Sequence, residues 1–162
     1  PLPDGRIELN PKILAIMKDS RVGSYGVIAV VIALLGKFAL LSTLPAGQVV
    51  ATLIAGHAVS RFCAVSLMAT MAYARDDETS KARPVAARLG AGALLFALVF
   101  AVLPLVMFAP EQALPAIAMA ALATFWLAAK CRRWLGGYTG DCLGAMQQLA
   151  EIAFYLGLAA RF

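Results

Sequence analysis

The segment RRWLGGYTGD at residues 132–141 combines the residue types that bind phosphate in proteins. Arg132 and Arg133 open it, and a guanidinium group can pair with two phosphate oxygens at once. Glycine backbone N–H groups can approach an anion closely, and the carboxylate of Asp141 can hold Mg²⁺ beside phosphates. We therefore predict a phosphate cradle whose loop contacts come from four residues: Gly136, Gly137, Thr139 and Gly140. The alternative is a glycine-rich turn with anchoring basic residues, in which Asp141 caps the following helix.

A second polar cluster, MKDSRVGSYG at residues 17–26, stands directly before a long apolar run. Lys18 and Arg21 supply cations for a phosphate group, and Asp19 supplies a carboxylate for a metal ion. The same residues also suit an ordinary helix entry, in which Ser20 or Asp19 is the cap and the basic residues anchor the chain at the membrane interface. The residues alone leave both interpretations open.

Four ionisable residues lie inside apolar runs, where a charge at the centre of a membrane helix costs at least about 2.5–3.5 kcal/mol. At that cost we expect Arg61 to have a partner and a purpose. We expect His57, one turn earlier, to be a neutral packing residue, and Lys37 to extend its ammonium group toward the membrane surface. Glu151 either pairs with a cation or faces a polar cavity, and the sequence does not separate these two alternatives.

The elements that must position these residues are the apolar runs themselves. The chain of 162 residues is 62% hydrophobic and 14% charged, whereas soluble domains are about 45–50% apolar and about 25% charged. A run of about 20 apolar residues crosses the hydrocarbon core of a bilayer, and in lipid such a run must be a helix. We therefore predict an all-α, polytopic membrane bundle of about five transmembrane helices, with residues 1–162 in one membrane domain. The predicted runs are 25–44, 49–72, 86–108, 114–129 (with Pro115 in its first turn) and 143–158.

The basic residues are distributed unevenly among the segments that join these runs. In chain order the segments contain four, none, four (with Arg88 at the start of the third run counted), none, three and one Lys or Arg residues. By the positive-inside rule the basic segments are cytoplasmic and the short loops are external. The formal net charge of +5 therefore mostly reflects topology. Because basic and aromatic residues do not interleave as they do on base-stacking surfaces, we exclude nucleic acid as a partner.

Cysteines and small residues complete the pattern. Cys63, Cys131 and Cys142 form neither a CxxC pair nor a nucleophile–base set, and we interpret them as packing residues. Small residues that allow close helix contacts occur, for example, at Gly90, Gly92 and Ala93 and at Gly140 and Gly144.

Four motifs occur together in one order: IMKDSRVGSYG at 16–26, SRF at 60–62, YARDDETSKARP at 73–84 and RRWLGGYTGDCLGAMQQLAE at 132–151. In this combination the chain resembles the cobalamin synthase family, the adenosylcobinamide-GDP ribazoletransferases, from about Lys12 onward. The resemblance implies a Mg²⁺-dependent enzyme of the bacterial inner membrane with its motif loops in the cytoplasm. Such an enzyme joins adenosylcobinamide-GDP to α-ribazole, or to its 5′-phosphate, and releases GMP in the final step of cobalamin nucleotide-loop assembly.

The resemblance also implies roles for individual residues. Six residues form the implied catalytic set: Asp141, Arg132, Arg133, Lys18, Asp19 and Arg21. Within this set, Asp141 and Asp19 are the implied Mg²⁺ ligands. The remaining substrate charge is assigned to a second set: Arg61, Arg75, Lys81 and Arg83. On composition alone, residues 74–84 also suit a solvated loop. The resemblance is compatible with a homo-oligomer or with an assembly containing other membrane enzymes of the pathway.

The chain departs from the family in one respect. Family members carry an acidic DGxADxxDG-type segment and further helices upstream, whereas PLPDGRIELNP stands here. The resemblance therefore implies the C-terminal two-thirds of a longer protein, without the aspartates expected as the main Mg²⁺ ligands. Two other functions stay open: a CDP-alcohol phosphotransferase-like membrane enzyme, and a transport or scaffold subunit in which Arg61 and Glu151 line a pathway.

Overall fold

A computed structural model of the chain describes residues 23–74 and 89–160. Within these two ranges the chain forms five α-helices and one short 3-10 helix, and it contains no β-strand. The all-α prediction is confirmed. In chain order the elements are α1 (Ser24–Ser42), α2 (Ala46–Thr70), α3 (Ala91–Val102), the 3-10 helix (Leu103–Met107), α4 (Pro110–Leu135) and α5 (Gly140–Ala159).

Three of the described helices, α1, α2 and α4, are long and apolar enough to cross a membrane. Their 19, 25 and 26 residues correspond to roughly 28–39 Å of helix at 1.5 Å per residue, which matches a hydrocarbon core about 30 Å thick. The segment Ala91–Met107 is shorter, because its α-helical part ends at Val102 and Pro104 follows in the 3-10 helix. Length and composition thus identify three of the roughly five expected spans.

The core of the bundle lies where α5 packs against α2 and α4. Its largest fully buried side chains include Phe154, Tyr155 and Met146 of α5. Two close approaches require glycine: a Cβ atom on Gly56 would overlap the Tyr155 ring, and one on Gly157 would overlap the backbone of Ala116. These are not the glycines predicted for close contact. Apart from chain neighbours and the backbone of the same helix, no described atom lies within 4 Å of the Cβ positions of Gly90, Gly92, Gly140 or Gly144.

The start of α4 corrects the predicted position of a proline. The helix begins at Pro110 after an extended N-cap, so Pro115 lies inside it and not in its first turn. The prediction placed the start too late because the first turn contains Glu111 and Gln112, which interrupt the apolar pattern. Proline at the first helical position loses no hydrogen bond, and an acidic residue in the first turn complements the helix dipole.

The bundle has two distinct ends. At one end, which we call the motif end, residues 72–74 after α2 meet residues 136–139 between α4 and α5. At the opposite end, the turn after α1, the start of α4 and the end of α5 surround a cavity of about 510 Å³, lined by Thr43, Leu44, Pro45, Gln48, Glu111, Gln112, Leu158, Ala159 and Ala160. Because α1 finishes at this opposite end, it begins at the motif end and runs parallel to α5.

Candidate functional site

The C-terminal end of α4 presents two arginines at the motif end. Arg132 and Arg133 occupy the last turn and are exposed. The helix ends because Gly136 adopts a left-handed conformation (φ 65°) and donates its N–H to the Arg132 carbonyl at 3.1 Å. An L side chain would be strained at that φ, and glycine is not. The predicted cradle residue Gly136 is therefore the residue that terminates α4.

The next two residues of the loop are fixed against the end of α2. Tyr138 donates its N–H to the Ala72 carbonyl at 3.1 Å and accepts the N–H of Ala74 at 2.9 Å. The rings of Tyr73 and Tyr138 meet edge to face with centroids 5.4 Å apart. Gly137 is buried beneath Ala72, and a Cβ atom on it would overlap the Ala72 carbonyl oxygen. The structure thus joins two of the sequence motifs, the one that starts at Tyr73 and the one that contains Tyr138.

Thr139 is the N-cap of α5. It is fully buried in an extended conformation (φ −125°, ψ 170°), and its hydroxyl accepts the N–H of Cys142 at 3.3 Å. The same hydroxyl donates to the Cys142 sulfur at 3.3 Å. The alternative in which Asp141 caps this helix is wrong, because a cap needs non-helical dihedrals and Asp141 already lies within the first turn. The predicted role of Thr139 as a substrate contact stays a prediction.

Two buried thiols lie on the helices on either side of the loop. Cys131 of α4 and Cys142 of α5 are free and buried. The neighbouring Cys131 thiol, together with the Thr139 hydroxyl that donates to the Cys142 sulfur, lowers the pKa of Cys142. Within the loop, burial raises the pKa of Tyr138. The packing role predicted for the cysteines is confirmed, because all three are buried in the core.

The residues that remain open to solvent at the motif end are those suited to an anion. Gly140 and Asp141 in the first turn of α5 are exposed, as are Arg132 and Arg133. The first N–H groups of a helix are unpaired, and its dipole favours negative charge. Gly140 also leaves the approach clear, because no described atom lies within 4 Å of its Cβ position. A helix N-terminus, two arginines and a carboxylate thus occur within ten residues of the chain.

Asp141 is the described carboxylate best suited to a metal. The other two in the described ranges are Glu111, at the opposite end of the bundle, and Glu151, which forms an ion pair. No group of three His, Cys, Asp or Glu residues suited to a metal occurs in the described part of the chain. Mg²⁺ keeps several waters and binds through one or two carboxylates together with substrate phosphates. Asp141 fits that share of a Mg²⁺ site, and the metal itself stays a prediction.

Several predicted site residues lie outside the described ranges: Lys18, Asp19, Arg21, Arg75, Lys81 and Arg83. Their roles stay predictions. Arg61 is described and is exposed on α2, where it forms no hydrogen bond or ion pair with any described residue. The expected partner of Arg61 is therefore absent from the described part of the bundle, and its role in substrate binding also stays a prediction.

A polar cluster between α1, α2 and α5 was missed by the sequence analysis. Lys37 Nζ lies 3.0 Å from Glu151 Oε2 and donates to Gln148 Oε1 at 2.7 Å. Tyr155 donates its hydroxyl to Glu151 Oε1 at 2.7 Å, and His57 Nδ1 lies 3.6 Å from Glu151 Oε2. Glu151 therefore pairs with a cation, which was one of its two predicted roles.

Two expectations for this cluster are wrong. Lys37 does not extend to the membrane surface, because its side chain is only 16% exposed and turns to the buried carboxylate. His57 is not a packing residue, since its side chain is 62% exposed. Both errors arise because helices distant in the sequence supply the partner, and spacing along one helix carries no information about it.

Comparison with known proteins identifies the family. Residues 4–159 match the sequence profile of a family described as cobalamin-5-phosphate synthase. The chain belongs to the cobalamin-5-phosphate synthase family. The match includes both parts of the motif end, so the paired segments at Ala72–Tyr138 and the exposed turn at Asp141 belong to a family member.

Curated relatives carry one name. The chain is 40% identical over 168 residues to an adenosylcobinamide-GDP ribazoletransferase of Polaromonas sp. (strain JS666 / ATCC BAA-500). This alignment covers 91% of the chain and 60% of the relative. The chain is 45% identical over 148 residues to the adenosylcobinamide-GDP ribazoletransferase of Shewanella woodyi, and this alignment covers 90% of the chain and 58% of the relative. It is 43% identical to the enzyme of the same name of Shewanella sp. (strain W3-18-1), and this alignment covers 90% of the chain and 56% of the relative. The chain thus spans 56–60% of the length of these relatives. No solved structure matches the chain.

Proposed function

We propose that the protein joins adenosylcobinamide-GDP to α-ribazole, or to its 5′-phosphate, and releases GMP. The observation that carries this proposal is the match of residues 4–159 to the cobalamin-5-phosphate synthase family. The names of the relatives support the same substrates. The exposed arginines and carboxylate beside the N-terminus of α5 supply groups that this chemistry needs.

The reaction is a displacement at a phosphoanhydride. A ribazole hydroxyl attacks the phosphorus next to cobinamide, the anhydride bond to the GMP phosphate breaks, and GMP leaves while the attacking oxygen loses its proton. Such reactions depend on positioning and on neutralising charge, because the phosphoryl oxygens become more negative as the bond breaks. Groups that are already in position before the reaction stabilise this charge without a further reorganisation energy.

Each exposed residue at the motif end has a role in this proposal. Arg132 and Arg133 bind oxygens of the anhydride and of the departing GMP. The N–H groups at the start of α5, with the open Gly140 among them, bind a further phosphate oxygen. Asp141 would hold Mg²⁺, which would neutralise phosphate charge. Lys18, Asp19 and Arg21, with Arg61, Arg75, Lys81 and Arg83, complete the binding of the polyanionic substrate.

The proposal includes a location. The segments rich in Lys and Arg adjoin the motif end, so the positive-inside rule supports a cytoplasmic position for that end. The bacterial inner membrane is proposed from the resemblance to the family. A cytoplasmic site gives the soluble nucleotide access, while the helices keep the enzyme in the bilayer. We also propose that the protein works as a homo-oligomer or in an assembly with other membrane enzymes of the pathway.

A chimaeric enzyme tests the function, because the chain spans 58% of the Shewanella woodyi relative. The chain replaces the matching part of that relative, and membranes containing the chimaera receive adenosylcobinamide-GDP, α-ribazole and Mg²⁺. Chromatography then measures GMP and the cobalamin product, with the intact relative as positive control and membranes without either protein as background. Equal formation of both products supports the proposal. A chimaera that inserts at normal levels and releases no GMP refutes it.

A further inference from the structure

We infer that Lys37 is a positioning residue whose ion pair with Glu151 sets the register of α1 against α5. In this role Lys37 holds the start of α1 level with the motif end. The inference rests on the proposed function only where it concerns activity. The register itself is a structural claim.

The pair has the geometry of a specific contact. Lys37 Nζ lies 3.0 Å from Glu151 Oε2 and 2.7 Å from Gln148 Oε1, so it contacts two residues one turn apart on α5. The Glu151 side chain is only 5% exposed, and its other oxygen accepts the Tyr155 hydroxyl. Among the described residues, His57 is the remaining ionisable neighbour of this carboxylate, with its Nδ1 3.6 Å from Glu151 Oε2. Removal of Lys37 would leave Glu151 buried without its closest cation.

The rest of α1 provides few contacts that fix its position along the helix axis relative to α5. None of its residues is fully buried against the described part of the chain, and its apolar contacts with the core come from the partly buried Leu40 and Leu41 near its C-terminal end. Apolar side chains such as those of α1 gain little from sliding one way or the other in lipid, because lipid tails are as apolar as leucine. A slip by one turn would move the Lys37 ammonium about 5.4 Å from its acceptors. The pair is therefore the contact most sensitive to the register of α1.

The register brings two helix starts to the same end. Lys37 follows the first residue of α1 by about 20 Å of helix, and Glu151 follows the first residue of α5 by about 17 Å, at 1.5 Å per residue. Gln148 lies about 12 Å from the same point. Since α1 and α5 run parallel, their first residues, Ser24 and Gly140, lie within about two helical turns of one level. The chain enters α1 directly from the MKDSR motif, so a slip of α1 displaces the point at which this motif joins the bundle.

A distance measurement tests the register without any assay of activity. Tyr25→Cys at the start of α1 and Gly144→Cys near the start of α5 receive spin labels in a chain whose three native cysteines are replaced by alanine, reconstituted in lipid nanodiscs. Both positions are exposed. With Lys37 present, pulsed electron resonance should give one narrow distance distribution. Lys37→Met should shift it by about one turn, near 5 Å, or broaden it to at least twice its width.

Two variants control this measurement. Lys37→Arg keeps the charge and should retain the narrow distribution, while Leu34→Met changes an exposed apolar position on α1 and should have no effect. An unchanged distribution in Lys37→Met, in protein that inserts normally, overturns the inference. A shift in Leu34→Met as large as that in Lys37→Met overturns it as well.

Kinetics in the chimaera link the register to function. Lys37→Met should lower kcat for GMP release at least tenfold with little change in the KM for α-ribazole, and Lys37→Arg should recover most of kcat. A shifted distance with unchanged kcat refutes the link between register and catalysis. If the unsubstituted chimaera releases no GMP, the proposed function fails, and the distance measurement still decides the register.

Discussion

Gly137 lies directly against the carbonyl oxygen of Ala72, so close that a Cβ atom at position 137 would overlap that oxygen. The two hydrogen bonds of Tyr138 to Ala72 and Ala74 flank this contact. The loop between α4 and α5 is therefore built onto the end of α2. Any side chain at position 137 must push these two backbone segments apart.

Gly137→Ala should destabilise the protein by about 1–3 kcal/mol, the usual cost of forcing an extra methyl group into a packed site. Unfolding in mixed detergent micelles measures this free energy. Gly144→Ala is the matched control, because no described atom lies within 4 Å of its Cβ position. In a helix interior this exchange should be neutral or stabilising by up to about 1 kcal/mol. Equal stability of the two variants would contradict the close packing at Gly137.

Thr139→Ala should cost about 1 kcal/mol, because it removes the hydroxyl that caps α5. Thr139→Ser keeps the hydroxyl and should retain most of the stability. Hydrogen exchange provides the local readout, since the Cys142 N–H is the group bonded to this hydroxyl at 3.3 Å. Exchange at Cys142 should accelerate in the alanine variant and not in the serine variant. Similar exchange in both would show that the hydroxyl does not cap the helix.

Asp141→Asn and Arg132→Ala should each lower GMP release by the chimaera at least 100-fold, because each removes charge that the proposed site directs at the anhydride. Raising the Mg²⁺ concentration should partly restore Asp141→Asn and leave Arg132→Ala unchanged. Glu111→Gln is the control, since this carboxylate lies by the cavity at the opposite end. Near-normal rates in the Asp141 and Arg132 variants, with normal insertion, would remove both residues from the site.

Surface labelling should report the orientation of the bundle. Ala46→Cys and Gln112→Cys lie at the end opposite the motif end, and an impermeant maleimide should label both from outside intact cells. Trp134→Cys, exposed in the last turn of α4, should be labelled only after the inner membrane is opened. The native cysteines in the described ranges are buried and should contribute little background. Labelling of position 134 from outside would invert the proposed topology.

The sequence predicts the helices well because each is encoded locally. The apolar run before Leu44 corresponds to α1 with its end two residues away, since lipid leaves helix as the satisfied backbone conformation. The predicted run 114–129 ends six residues before α4 does, because Lys130, Arg132 and Arg133 near the end of the helix interrupt the apolar pattern. Contacts between distant segments are not encoded locally. Nothing near Lys37 in the chain indicates Glu151, and nothing near Gly157 indicates that it must accommodate Ala116.

In the candidate site, too, the sequence predicts the residue types and does not predict the contacts between distant segments. Residue types identify Arg132, Arg133 and Asp141 as groups for phosphate and metal. Residue types do not show that the Thr139 hydroxyl caps α5, because threonine suits a substrate contact and a helix cap equally well. They also do not reveal the pairing of Tyr138 with Ala72, which depends on two loops that are far apart in the chain.

The pairing of Lys37 with α5 also constrains how the protein is made. Gln148, which accepts the same ammonium group, follows Lys37 by 111 residues. At roughly 5–20 residues per second, a ribosome needs on the order of ten seconds to synthesise that stretch. During this interval α1 must enter the bilayer with a lysine whose partners do not yet exist. The Lys37 charge therefore has no partner from α5 until α5 is synthesised, so the assembly of α1 is completed after translation of α5.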